Sequence, residues 1–133
     1  HDRAMLAEFF DLAGDPIMAM LGIDEQFVEV QRVGFFDLEH HVWYLDEILI
    51  GQDVAIHARM VECGDKRMLG LIFIVNLTAE RLASVIEYVA TAASLDTRRA
   101  VALPDAVARR TREIVAAHGS LAWLPPRCGS ISV

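Results

Sequence analysis

Cysteine is scarce in this chain of 133 residues: Cys63 and Cys128 lie far apart, and there is no Cys-x-x-Cys. That spacing argues against a disulfide scaffold and for two unpaired thiols in a reduced, cytoplasmic protein. Positive charge is also in deficit. Twelve Lys and Arg face nineteen Asp and Glu, a formal net charge of −7. A general nucleic-acid binder is basic overall, so that class is disfavoured, although a local basic patch for a small phosphate ligand is still allowed. No apolar run approaches the roughly 20 residues that span a bilayer. LGLIFIVNL at 69–77 is too short and reads as a buried strand. No GxSxG, P-loop, HxxxH or HExxH is present, and no signal peptide is visible. The chain begins at His1 and not Met, so further residues upstream are expected.

What is present suits one folded domain. Hydrophobic residues make up 54% and charged residues 23%, which argues against disorder. The most informative stretch is GFFDLEHHVWYLDEILIG, residues 34–51. Period-2 alternation makes it a strand with one apolar face, Phe36, Leu38, Val42, Tyr44 and Ile48, interrupted by His40. The opposite face mixes Asp37, Glu39, His41, Trp43, Leu45 and Glu47. His40 and His41 are neighbours on a strand, so they point to opposite faces and cannot chelate one ion together. No metal site is expected.

Residues 2–21 read as one core helix, apolar on most sides, with Asp2 as N-cap, Gly22 as the stop and a weak point at Gly14-Asp15-Pro16. Residues 23–26 read as a turn and 27–33 as a weak strand. Strands are expected at 54–63 and 67–77, joined by a tight turn at Gly64-Asp65-Lys66, and at 82–95. A second helix is expected over 105–118, opened by Pro104. The tail from Gly119 should pack back through Trp123 and Leu124. The expected order is core helix, about five antiparallel strands, C-terminal helix: an α+β fold in a single domain over 1–133, with 119–133 as its tail. One helix cannot cover both faces of such a sheet, which predicts a homodimer or a dimer of dimers.

The order of these features resembles the hotdog-fold acyl-CoA thioesterases of the 4-hydroxybenzoyl-CoA thioesterase type, and among them the subgroup of carnitine and betaine breakdown. The residues that carry the resemblance are L-E-H-H-V-W-Y-L-D-E, a following G-x-x-V, the D-K-R hairpin, and A-T before a basic turn. They cover about residues 2–115. The resemblance implies a hotdog fold, a curved antiparallel sheet wrapped around one long core helix, with a first strand upstream of residue 1. It also implies a dimer that hydrolyses acyl-CoA to acid and free CoA without a metal or cofactor. The family's usual acid on the first strand, and its N-G-H-type turn, are not in these 133 residues.

Thioester hydrolysis needs a carboxylate to attack the carbonyl or activate water, donors for the developing oxyanion, and cations for the CoA phosphates. Glu39 is the first carboxylate candidate, Asp2 the second and Glu47 the third. Backbone N–H groups at the start of the core helix, around residues 2–4, are candidate oxyanion donors. Lys66, Arg67, Arg98 and Arg99 are the candidate CoA ligands, because an antiparallel sheet can bring those two ends together. Arg109, Arg110 and Arg112 add a basic stripe on the last helix. A non-catalytic acyl-CoA binder or dimer scaffold is the alternative reading.

Overall fold

The computed structural model describes residues 17–120. Most of the expected 2–21 helix and the tail with Trp123 and Leu124 lie outside the described residues. Residues 17–20 are helical and end where the sequence places the stop. Gly22 takes φ 80°, its N–H reaches Ala19 O at 3.0 Å, and Ile23 N–H reaches Met18 O at 2.8 Å. This pair of backward bonds with a left-handed glycine is a Schellman termination. It turns Ile23 into the core beside Ile17 and Leu21.

The next segment departs from the sequence reading. Residues expected as a turn and a weak strand form helix α1, Glu25–Gln31. Asp24 supplies the reason: its Oδ1 accepts the Phe27 N–H at 2.7 Å, an N-cap with Glu25 acidic in the first turn. The weak alternation of residues 27–33 suggests a strand, and the local cap outweighs it. Arg32, at φ 55°, closes the helix.

Four strands follow in one antiparallel sheet: β1 Val33–Tyr44, β2 Val54–Cys63, β3 Arg67–Asn76 and β4 Arg81–Ser94. The spatial order is β1-β4-β3-β2, so the β2-β3-β4 meander is as expected while β1 returns to pair with β4. Among the described residues the sheet has four strands and not the expected five. β1 also stops seven residues early, because Leu45 and Asp46 both turn their N–H groups onto Ala83 O, and Asp46 takes an ion pair from Arg81 at 3.1 Å. Helix α2, Asp105–Gly119, buries Val107, Ala108, Thr111 and Ile114, the one-sided spacing of a packed helix. It lies along β2, where His118 Nδ1 accepts the Met60 N–H at 2.8 Å.

One face of the sheet holds the main core: Met60, Met68, Ile72, Ile74, Ile86 and Tyr88, under Ile17, Leu21 and α2. Gly70 lies in this layer opposite Tyr88, and a Cβ there would come within 2.5 Å of the phenol oxygen. Only glycine leaves room for that ring. Among the described residues no helix is long and apolar enough to cross a membrane.

Candidate active site

The face assignment within β1 turns on a β-bulge. Asp37 pairs with Ala90 and Glu39 with Val89, so Leu38 is the extra residue. A bulge shifts the alternation by one residue. Phe35, Asp37, His40 and Val42 therefore stand opposite Ala92, Ala90, Tyr88 and Ile86, on the core face. Phe36, Glu39, His41 and Trp43 stand opposite Thr91, Val89, Glu87 and Val85, on the outer face. The regular alternation expected from the sequence is corrected here: Phe36 and Asp37 exchange faces. Phe36, Leu38 and Tyr44 are exposed rather than pressed on the core, while Val42 and Ile48 do pack against it.

On the core face, beside the end of the 17–20 helical turn, a cleft of about 940 Å³ opens between α1, β1 and β4. Ile17, Ile23, Val28, Phe35 and Ile72 supply apolar walls. Asp37 and Tyr88 supply polar groups, and Asp24, Glu25, Glu29 and Arg32 complete the polar lining. Arg32 is engaged, donating from Nε and Nη2 to Asp96 Oδ1 at 3.1 Å each. Asp37 Oδ2 stands 3.6 Å from His40 Nε2, and both side chains are exposed at the mouth of the cleft. Tyr88 is buried, with its hydroxyl 3.6 Å from Met60 Sδ. Burial pushes its phenol well above the usual tyrosine range, and the negative charge of Asp37 adds to the effect. The hydroxyl therefore stays protonated, a donor held in an apolar layer next to a carboxylate.

The residues singled out by sequence fall in three places. Glu39 is exposed on the outer face, away from the cleft. Glu47 is exposed in the loop after β1, where its N–H bonds Asp46 Oδ1. Asp2 and the expected oxyanion donors lie outside the described residues. The two basic pairs do converge on one end of the sheet. Lys66 O accepts the Ala92 N–H at 2.9 Å, and Arg99 O accepts the Ser94 N–H at 2.9 Å. Residues 99–101 thus continue the lane of β3 along the end of β4, with Arg98 at φ 61° in the turn between. All four cations are exposed. At the rise of a strand, Ala92 and Ser94 lie roughly 7 to 13 Å from the cleft residue Ala90. In the α2 stripe, Arg110 bonds Met20 O at 3.3 Å and Arg112 faces Asp65 at 4.0 Å.

Asp37, His40 and Tyr88 were not chosen from the sequence. The one available signal was the i, i+3 spacing of Asp37 and His40, which a regular strand would place on opposite faces. Among the described residues no group of three or more His, Cys, Asp or Glu is placed to hold a metal ion.

Solved structures share this fold. A hypothetical protein of Staphylococcus aureus in complex with CoA superposes with TM-score 0.84 at 20% identity, over 100% of this chain and 82% of that one. The DHNA-CoA thioesterase of Staphylococcus aureus gives 0.74 at 18% identity, over 87% and 78%. A thioesterase of Thermus thermophilus, complexed with coenzyme A and Zn, gives 0.68 at 21%, over 86% and 81%. No curated protein matches the sequence. These likenesses identify the antiparallel sheet with its packed helices as the hotdog architecture. The family model of the Thioesterase-like superfamily matches residues 2–111, and the chain belongs to that superfamily.

Proposed function

We propose that this protein hydrolyses acyl-CoA thioesters to free acid and CoA. The observation that carries the reading is the match of residues 2–111 to the Thioesterase-like superfamily. The geometry agrees with it: an apolar cleft with a carboxylate in its wall lies one short run of β4 away from the end of the sheet where the segments carrying Lys66, Arg67, Arg98 and Arg99 meet. CoA-bound and thioesterase-named neighbours of the same fold add support. The L-E-H-H-V-W-Y-L-D-E strand and D-K-R hairpin favour the 4-hydroxybenzoyl-CoA thioesterase type and, within it, the carnitine and betaine branch. The acyl group enters the cleft, and Lys66, Arg67, Arg98 and Arg99 hold the CoA phosphates. A carboxylate acts as base or nucleophile; from the sequence Glu39 and Asp2 are the candidates, and Glu39 lies on the face of the sheet opposite the cleft. Backbone N–H groups at the start of the core helix form the oxyanion hole. The protein works in the cytoplasm as a dimer.

A panel of acyl-CoAs with thiol detection tests the reading. Turnover of at least one thioester is expected; tight CoA binding with no turnover would instead favour the non-catalytic binder. The paired substitution R98A/R99A is expected to raise KM for acyl-CoA about tenfold and to leave KM for the matching acyl-pantetheine nearly unchanged, one lost charge-assisted contact being worth about that factor. An equal rise for both substrates would remove these arginines from nucleotide binding.

A further inference from the structure

We infer that the bulge at Leu38 builds the working dyad of this cleft, with Asp37 as the base that activates water and His40 as the residue that positions it. The inference rests on the thioesterase reading and names the residues for it.

Register decides the placement. In an unbroken strand, Asp37 and His40 would face opposite sides. The extra residue puts both on the core face, opposite Ala90 and Tyr88. Bulges are over-represented beside active sites, where they re-aim a side chain. Here the result is a carboxylate lining the cleft with an imidazole nitrogen 3.6 Å away. That distance is longer than a hydrogen bond, and such contacts tighten when substrate fills a site. Both side chains stay partly open to solvent, so water and substrate can reach them. Buried Tyr88 also lines the cleft, with Gly70 opposite it giving the ring its place.

The chemistry balances. Asp37 takes one proton from water as the water oxygen bonds the thioester carbonyl carbon. The carbon–sulfur bond then breaks, and the sulfur leaves with the proton that Asp37 held. The products are a carboxylic acid, which ionises, and the free thiol of CoA. Asp37 returns to carboxylate. His40 does not exchange a proton; its N–H fixes the carboxylate rotamer towards the cleft.

Variants assayed on the best acyl-CoA of the panel test the dyad. Asp37→Asn is expected to lower kcat about 100-fold, the scale of a lost general base, with KM within about threefold. His40→Ala is expected to lower kcat about tenfold, and His40→Gln, which keeps an N–H donor, to recover most of that. A simple packing role would not give this rescue. Asp37→Ser repeats the test should the asparagine variant fail to fold. Wild-type-like kcat in both Asp37 variants overturns the inference, as does a larger loss in Glu39→Gln than in Asp37→Asn. His40→Gln no better than His40→Ala overturns the positioning role. A wild-type protein that cleaves no thioester defeats the functional reading itself, and the dyad's role with it.

Discussion

The two faces of β1 carry nearly the same chemistry to different ends. The core face has an acid and an imidazole, Asp37 and His40, and so has the outer face, Glu39 and His41. On the core face the two groups meet at 3.6 Å beside a cleft and a buried phenol. On the outer face His41 instead packs edge-on against Trp43, with ring centres 4.4 Å apart, and Glu39, exposed as Asp37 and His40 are, does not line the cleft. Residue types alone therefore do not identify a site. What separates the two sets is which groups meet, and what they meet beside.

The contrast is tested most severely by damaging one face and watching the other. Gly70→Val pushes a branched side chain into the Tyr88 ring and is expected to destabilise the fold by about 3 kcal/mol, at the upper end for overpacking. Urea titration measures the loss, and near-ultraviolet circular dichroism of Trp43, read in a Trp123→Phe background, should stay native-like below the transition if the outer face is independent. A collapse of both signals in native buffer would show that the two faces form one unit. His118→Ala leaves the Met60 N–H on the β2 edge without its acceptor and should cost about 1–2 kcal/mol. Met60 touches Tyr88, so the loss should reach the cleft face and leave the outer one untouched.

The smallest effect is a matter of pH. The folded state raises the Tyr88 pKa, so folding binds that proton more tightly. The stability this gives is complete below the unfolded value, about 10, and is lost as pH rises from there. Between pH 9 and 11 the urea midpoint of the wild type should therefore fall further than that of Tyr88→Phe. Equal falls would place the alkaline sensitivity elsewhere.

Much of this architecture was legible in the sequence. Alternation located β2, an apolar run located β3, turn residues located the hairpin at 64–66, and continuity of the meander with its β-branched residues chose strand over an alanine-rich helix for β4; Pro104 with Asp105 marked the start of α2. Gly22 marked a helix end. The misreadings have physical causes. A seven-residue helix, α1, is too short for its periodicity to outweigh the weak alternation of residues 27–33, and only the Asp24 cap betrays it. The end of β1 at Tyr44 is fixed by bonds to Ala83 and Arg81, which lie far along the chain. The chain segments that carry the basic pairs at 66–67 and 98–99 meet at one end of the sheet, because antiparallel connectivity brings such ends together, and their CoA-binding role is part of the proposal. Asp37, His40 and Tyr88 escaped because their meeting depends on one unpaired residue, and Leu38 has no side-chain feature that announces a bulge.

That single residue has a consequence for descent as well as for chemistry. The two halves of β1, 33–37 and 39–44, keep separate phases, and Leu38 is the joint between them. Losing one codon there would restore unbroken alternation with Asp37 still opposite Ala90 and Glu39 still opposite Val89, so both acids would keep their faces. Relatives of this chain could therefore carry or lack a residue at Leu38 and still present the acid before it to the cleft face and the acid after it to the opposite face.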